Sequence, residues 1–257
     1  MALLMLKQSK VKSVRIGILL LLGVSGLANA KWQRISENTI RFSGDIDNNS
    51  LSQYQIISKD GYSKLELQSF GGSNLIALKI AEDIIQRNVE IVVDGYCMSA
   101  CANYLALAGK KLTVPCDSLL GWHGTVTEQS EKEIIEDFKS REYPKELVDK
   151  YLKWIKIFKD KEQNFYKKIG IDRALLTDSV KIPLNEGKKP EISFKFNEDT
   201  GEYSVSKSAV LWVPTPDVLE KYGVPTNGFC RRYSRDDIKI LIEKKGFNIQ
   251  FSSSGRK

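Results

Sequence analysis

One short stretch of the chain joins an apolar strand directly to a helix of small residues. The apolar residues 91–93 are the end of the predicted strand. The predicted turn covers residues 95–101, and the predicted helix covers 102–108 and ends before Gly109. A strand that passes at once into a helix favours an α/β fold, in which the helix packs back on the sheet. Ser99 lies in the turn, where free N–H groups and the helix dipole can hold a developing negative charge.

The remaining apolar patterns alternate between strands and helices. Strands are predicted over 35–42, 64–69, 89–93, 111–114 and 119–122, and helices over 73–86, 128–138, 144–168, 172–178, 216–223 and 235–245. This order predicts right-handed crossovers and a largely parallel sheet. Ile192, Phe194 and Phe196 alternate with polar residues, and a turn with Gly201 follows, so a β-hairpin is expected over 192–205. The Ser-rich end of the chain is expected to be frayed.

The first 30 residues have the three parts of a secretory signal peptide. Basic residues within 7–15 precede an apolar core at 16–24, and Ala28 and Ala30 fit a cleavage site. The mature chain is therefore expected to begin at Lys31 and to be periplasmic or secreted. The apolar core is short for a membrane-spanning helix, and an uncleaved anchor is the alternative.

More than half of the net positive charge of the chain, +4 of +7, belongs to that leader. Four of the 39 Lys and Arg residues lie before residue 31, where no acidic residue occurs, so residues 31–257 carry a net charge of +3. This small excess argues against nucleic acid as a partner. The Lys-rich stretch 145–168 also contains acidic and aromatic residues, as a solvated amphipathic helix does. The 227 residues after the leader suit one domain with a sizeable core.

Four cysteines in an exported chain predict two disulfides, for which three pairings exist. Cys97 and Cys101 are close enough in sequence to bridge across the turn, and Cys116 would then pair with Cys230. The alternative is a reactive cysteine nucleophile, which an oxidising compartment and an even count disfavour. With one histidine and paired cysteines, few nitrogen or sulfur ligands remain, so no metal or other cofactor is expected.

The only histidine, His123, is the candidate general base for Ser99. It follows the predicted strand 119–122, and a Gly71-Gly72 turn follows the predicted strand 64–69. Each feature alone has a simpler explanation as a helix cap, a structural histidine or an ordinary turn. The combination in this order is much more specific, because a serine is a weak nucleophile until a neighbouring imidazole takes its proton.

Together these motifs resemble the Clp protease proteolytic-subunit and crotonase-like superfamily. The matching stretches are residues 65–72, 93–101 and 119–124, with Tyr222-Gly223 similar to the end of the family's final helix. The resemblance covers 35–178 and 209–224, and the Cys-x-Ser-Ala-Cys form is most similar to an exported bacterial branch. It implies stacked ββα units around a mostly parallel sheet, with 192–205 as an inserted β-hairpin.

The resemblance implies a serine hydrolase with Ser99 as nucleophile and His123 as general base. The amides of Gly71 and Ala100 would form the oxyanion hole. The family's aspartate has no counterpart just before the last helix, and Asp178 is its best substitute. Without a carboxylate the site would be a Ser–His dyad.

The expected activity is hydrolysis of a peptide bond through an acyl-serine intermediate. A catalytically degenerate scaffold or binding protein is one alternative, because the family's aspartate is missing, and an esterase or other acyl hydrolase is another. The implied partners are a peptide or protein substrate and further copies of the chain, whereas an ATPase is not expected because an exported protein meets little ATP. A Ser–Lys peptidase and an acyl-CoA-binding crotonase fit less well, since no lysine can be placed at the site and acyl-CoA is not expected outside the cytoplasm.

Overall fold

The computed structural model describes an α/β fold over residues 31–140, 142–188, 191–197, 202–208, 210–230, 234–247 and 249–253. The strands are β1 (Lys31–Ser36), β2 (Thr39–Ile46), β3 (Lys64–Gly72), β4 (Glu90–Met98), β5 (Lys111–Thr113), β6 (Leu119–Gly121), β7 (Glu191–Asn197), β8 (Glu202–Ser208), β9 (Val210–Trp212) and β10 (Gln250–Ser252). The helices are α1 (Asn48–Ile57), α2 (Asn74–Arg87), α3 (Glu128–Ser140), α4 (Lys145–Ile169), α5 (Ala174–Asn185), α6 (Pro216–Glu220) and α7 (Arg235–Lys244). A π-helical segment, Cys101–Leu105, follows β4. The predicted signal peptide lies outside the described residues.

A mixed, mostly parallel sheet of six strands forms the centre of the fold. The strand order is β1-β2-β3-β4-β5, and β6 also pairs with β4. Within this sheet β1 and β2 run antiparallel and the other neighbours run parallel, which confirms the predicted largely parallel arrangement. The first residues of β4 pair with β5 and its last residues pair with β6. The end of β4 therefore lies directly beside the end of β6.

Alternation along the strands and a 3.6-residue period along α2 produce the core between them. Leu65, Leu67, Ile91 and Val93 occupy alternate positions of β3 and β4 and are fully buried. The buried side of α2 contributes to the same core. Ser73 caps the start of this helix by accepting from the Ile76 N–H.

Two predictions about the ends of the fold are wrong. Residues 35–42 do not form one strand, because Glu37 and Asn38 make a two-residue turn between β1 and β2. The Asn38 carbonyl accepts from the N–H groups of Ser63 and Lys64 at 3.0 Å, which anchors this turn beside β3. The Ser-rich tail is not simply frayed, since β10 pairs in parallel with β9.

The predicted hairpin is present as β7 and β8, which pair antiparallel from Glu191↔Ser208 to Asn197↔Glu202. Its turn, 198–201, lies outside the described residues. Strand β8 lies alongside α4, so the hairpin meets the body of its own chain. In the described parts of the chain, no helix combines the length and the apolar character needed to cross a membrane.

Candidate active site

Ser99 lies in a strained turn between β4 and the π-helical segment. Its φ of 56° falls in the left-handed region, where a residue with a side chain pays about 1–2 kcal/mol. The Ser99 N–H donates to the Gly121 carbonyl at 3.0 Å, and the Ser99 carbonyl accepts from the Asn103 N–H at 2.7 Å. These contacts hold the turn in place, and strain sustained in this way is typical of functional sites.

Two disulfides are formed, with the pairing that the Cys97–Cys101 spacing favours. The turn disulfide joins Cys97 and Cys101 across Ser99, with their Cα atoms 5.3 Å apart. The long-range disulfide joins Cys116 and Cys230, which are 114 positions apart in sequence and 4.9 Å apart between Cα atoms. All four cysteines are bonded, so no thiol is left to act as a nucleophile. Such a pair of disulfides is compatible with an oxidising extracellular or periplasmic location.

The predicted Gly71-Gly72 turn is wrong, because β3 continues through Gly72 and both glycines pair with β2. The backbone of Gly71 passes directly against Ser99. A Cβ atom on Gly71 would lie 2.7 Å from the Ser99 Cβ and 2.9 Å from the Ala100 nitrogen, and its φ is 104°. Only glycine fits this close approach and this backbone conformation. The structure thus brings Gly71 and Ala100, the two predicted oxyanion residues, to the same turn. The Gly71 N–H donates to Ser69 Oγ at 3.0 Å, so its oxyanion role stays a prediction.

His123 follows β6 at the edge of the sheet where β4 ends. Because β4 and β6 pair in parallel up to Gly121, Ser99 and His123 both lie just beyond the ends of neighbouring strands. The chain before His123 is fixed by two backbone hydrogen bonds between Trp122 and Trp212, at 2.7 and 2.8 Å. The His123 side chain is half-buried. The strand register therefore places the candidate base on the same edge as the candidate nucleophile.

Asp178 lies on α5, which packs against the segment that follows His123. A Cβ atom on Gly124 would collide with the Val180 side chain, two residues beyond Asp178. Asp178 is 5% exposed, and its Oδ2 accepts from the Tyr222 hydroxyl at 2.7 Å. The structure thus brings the helix of this carboxylate to the His123 segment, and its place in a triad stays a prediction.

Two polar side chains beside these segments were not singled out from the sequence. The Asn103 Nδ2 donates to the Gly124 carbonyl at 3.2 Å, linking the π-helical segment to the residue after His123. The Tyr222 hydroxyl donates to Asp178, although the Tyr-Gly pattern indicated only the end of a helix. The contacts of Asn103 and Tyr222 could not be predicted from the sequence, because each joins residues that are distant along the chain.

A third missed residue, Glu162, is fully buried on α4. The sequence of this helix indicates a solvated face, and acidic residues on it are expected in water. The spacing of the helix carries a different signal. Glu162 falls in the buried series Tyr151, Ile155, Phe158, Glu162 and Phe165, whose intervals of three and four define the inward face. A carboxylate at such a position needs partners inside the fold.

Over the part of the chain that the structure describes, no three His, Cys, Asp or Glu side chains lie together as a metal site would require. No protein-family model matches this chain, and no curated protein matches it. Because a fold alone does not define an activity, the function has to be inferred from the chemistry of the site.

Proposed function

We propose that this chain is an exported serine hydrolase with a Clp/crotonase-like fold, specifically a peptidase that forms an acyl-serine intermediate. The observation that carries the proposal is the strained turn. Ser99 is in the left-handed conformation, and the Gly71 backbone packs against the Ser99 Cβ and the Ala100 nitrogen. A nucleophile, nearby backbone amides and a histidine on the adjacent strand end are the parts that acyl transfer requires.

In the proposed reaction, His123 takes the proton of Ser99 Oγ while this oxygen attacks the carbonyl carbon of the scissile peptide bond. The new C–O bond produces a tetrahedral oxyanion, which backbone N–H groups of the turn stabilise. The C–N bond then breaks, and His123 gives its proton to the leaving amine. A water molecule, deprotonated by His123, attacks the acyl-serine and releases the acid together with free Ser99.

Asp178 is the proposed third member of the site. It is a buried carboxylate on the helix that packs against the segment after His123. A carboxylate bonded to the imidazole would hold one tautomer and stabilise the imidazolium that forms during the reaction. Without that bond the site would work as a Ser–His dyad.

The proposed setting is the periplasm or the cell exterior, after cleavage before Lys31. The two disulfides support this setting, because such bonds persist in oxidising compartments. The proposed partners are a peptide or protein substrate and further copies of the same chain.

A non-catalytic scaffold on the same fold is the second candidate, and one contact favours it. The Gly71 N–H donates to Ser69 Oγ at 3.0 Å, whereas an oxyanion hole would need this N–H for the substrate. A scaffold would need no rearrangement of that contact.

Reaction with a fluorophosphonate probe separates the two candidates. An active enzyme is expected to be labelled at Ser99, and Ser99→Ala is expected to lose the label. Ser52→Ala is the matched control, because Ser52 is an exposed serine on α1 whose hydroxyl donates to the Asn48 carbonyl. An unlabelled wild-type chain would refute the hydrolase and favour the scaffold. Cleavage of chromogenic esters without cleavage of peptides would instead identify an esterase.

A further inference from the structure

A single buried carboxylate connects three segments of the candidate site. Glu162 is 0% exposed. Its Oε1 accepts from the Tyr104 hydroxyl at 2.7 Å and from Thr125 Oγ1 at 2.6 Å. Its Oε2 accepts from Arg173 Nε at 2.8 Å and lies 2.6 Å from Arg173 Nη2. Four donors from three side chains therefore converge on one acidic group that has no access to water.

The three residues that supply these donors come from the chain segments that carry the candidate catalytic residues. Tyr104 lies five residues after Ser99, on the π-helical segment. Thr125 lies two residues after His123. Arg173 lies directly before α5, the helix of the candidate aspartate. A shift of the Glu162 carboxylate would thus be transmitted to all three segments.

A second set of bonds runs parallel to the first. The Tyr166 hydroxyl, four residues beyond Glu162 on α4, donates to the Asn103 carbonyl at 2.9 Å. The Asn103 side chain in turn donates to the Gly124 carbonyl. Burial raises the pKa of both the Tyr104 and Tyr166 hydroxyls well above the ordinary value, so both remain protonated donors. Helix α4 therefore contacts the residues around the site through both Glu162 and Tyr166.

We propose that Glu162 is a positioning residue, whose carboxylate sets the place of the His123 segment relative to the turn of Ser99. This inference rests on the proposed function for its catalytic meaning. A buried ion pair by itself adds little net stability compared with apolar packing. A carboxylate is nevertheless able to accept from two hydroxyls and a guanidinium at once, which no apolar residue at this position could do. The group fixes geometry, and geometry is what acyl transfer depends on.

The most selective test removes the Thr125 hydroxyl, which connects the segment after His123 to this carboxylate. Thr125→Val keeps the shape of the side chain and leaves the Glu162–Arg173 pair intact, whereas Thr125→Ser retains the hydroxyl. His123 is the only histidine of the chain, so the imidazole signals in the NMR spectrum of the untagged protein belong to it without further assignment. We expect Thr125→Val to move these signals and to slow fluorophosphonate labelling about tenfold or more. Thr125→Ser is expected to recover most of the rate.

Tyr54→Phe provides a matched control on another part of the fold. Like Thr125→Val, it removes a hydroxyl that bonds a carboxylate, since Tyr54 donates to Asp83. If Glu162→Gln folds, it should reproduce the effect of Thr125→Val. If Glu162→Gln does not fold, the comparison of Thr125→Val with Thr125→Ser still tests the positioning role. Unchanged His123 signals in Thr125→Val would overturn the inference, as would an equal loss of labelling in Tyr54→Phe.

The NMR measurement keeps this inference separate from the proposed function. A wild-type chain that fails to label would refute the hydrolase. In that case His123 signals that move in Thr125→Val and return in Thr125→Ser still establish Glu162 as the group that positions this segment. Signals that stay in place would refute the positioning role whether or not the chain is an enzyme.

Discussion

Replacing Ser99 with glycine is expected to stabilise the fold while it removes the nucleophile. The φ of Ser99 is 56°, and the left-handed conformation costs a residue with a Cβ atom about 1–2 kcal/mol, a cost that glycine avoids. Glycine loses about 0.5–1 kcal/mol more conformational entropy on folding than alanine does. Ser99→Ala and Ser99→Gly both lose the hydroxyl, so their difference isolates the backbone. We therefore expect Ser99→Gly to unfold with a free energy about 0.5–1 kcal/mol greater than that of Ser99→Ala.

The measurement is urea unfolding followed by tryptophan fluorescence, with both disulfides intact. The same difference would raise the melting temperature by roughly 1–4 °C in a chain of this size. Asn88→Gly is the control, because Asn88 has the same φ of 56° but is the C-terminal cap of α2. Asparagine tolerates this conformation, so glycine should gain less there. If Ser99→Gly is no more stable than Ser99→Ala, the turn is not strained, and the main support for a nucleophile at this position is lost.

Three further outcomes can be measured. Replacing both cysteines of the long-range disulfide, which spans 114 positions, should lower the free energy of unfolding by about 5 kcal/mol. Replacing both cysteines of the turn disulfide should lower it by about 2 kcal/mol. Equal losses of free energy in urea unfolding would contradict this. Gly71→Ala would bring a Cβ to 2.7 Å from the Ser99 Cβ. We therefore expect the variant to be about 2–4 kcal/mol less stable and to lose fluorophosphonate labelling. Labelling at the wild-type rate would show that the turn can relax. Burial raises the pKa of Tyr62 from 10.0 to about 12, so its contribution to stability is complete below pH 10 and is lost as the pH rises through 12. In Tyr62→Phe, the free energy of unfolding should fall less steeply between pH 10 and 12 than in the wild type. An equally steep fall would exclude Tyr62 ionisation as its cause.

The position of the turn at Ser99 could be predicted because the physics that forms it is local, although β4 continues to Met98 and the turn is shorter than the predicted 95–101. A run of apolar β-branched residues favours a buried strand, and the small residues that follow allow a tight helical segment to pack on the sheet. The turn disulfide follows from the same stretch, since a spacing of four residues permits a bridge. The hairpin of β7 and β8 was equally visible, because its alternation and its turn are contiguous in sequence.

Other features depend on contacts between distant residues and could not be predicted in this way. Periodicity does not tell which strands become neighbours, so the division of β4 between β5 and β6 appears only in the fold. Glu162 is separated from Tyr104 by 58 residues and from Thr125 by 37, so the sequence around it does not indicate its two hydroxyl donors. The turn between β1 and β2 was missed for another reason: two residues are enough to reverse the chain within an otherwise strand-like run.

The long-range disulfide also determines how this protein would behave after a protease cuts it. A single cut anywhere between Cys116 and Cys230 would leave two fragments covalently joined. A cut between α5 and β9 would put Ser99 and His123 on one fragment and Trp212 on the other, with the backbone pairing of Trp212 to Trp122 still tethered. Such a clipped molecule would migrate as one band on a gel without reductant and as two bands with it. A preparation judged intact on a non-reducing gel could therefore consist of cleaved chains.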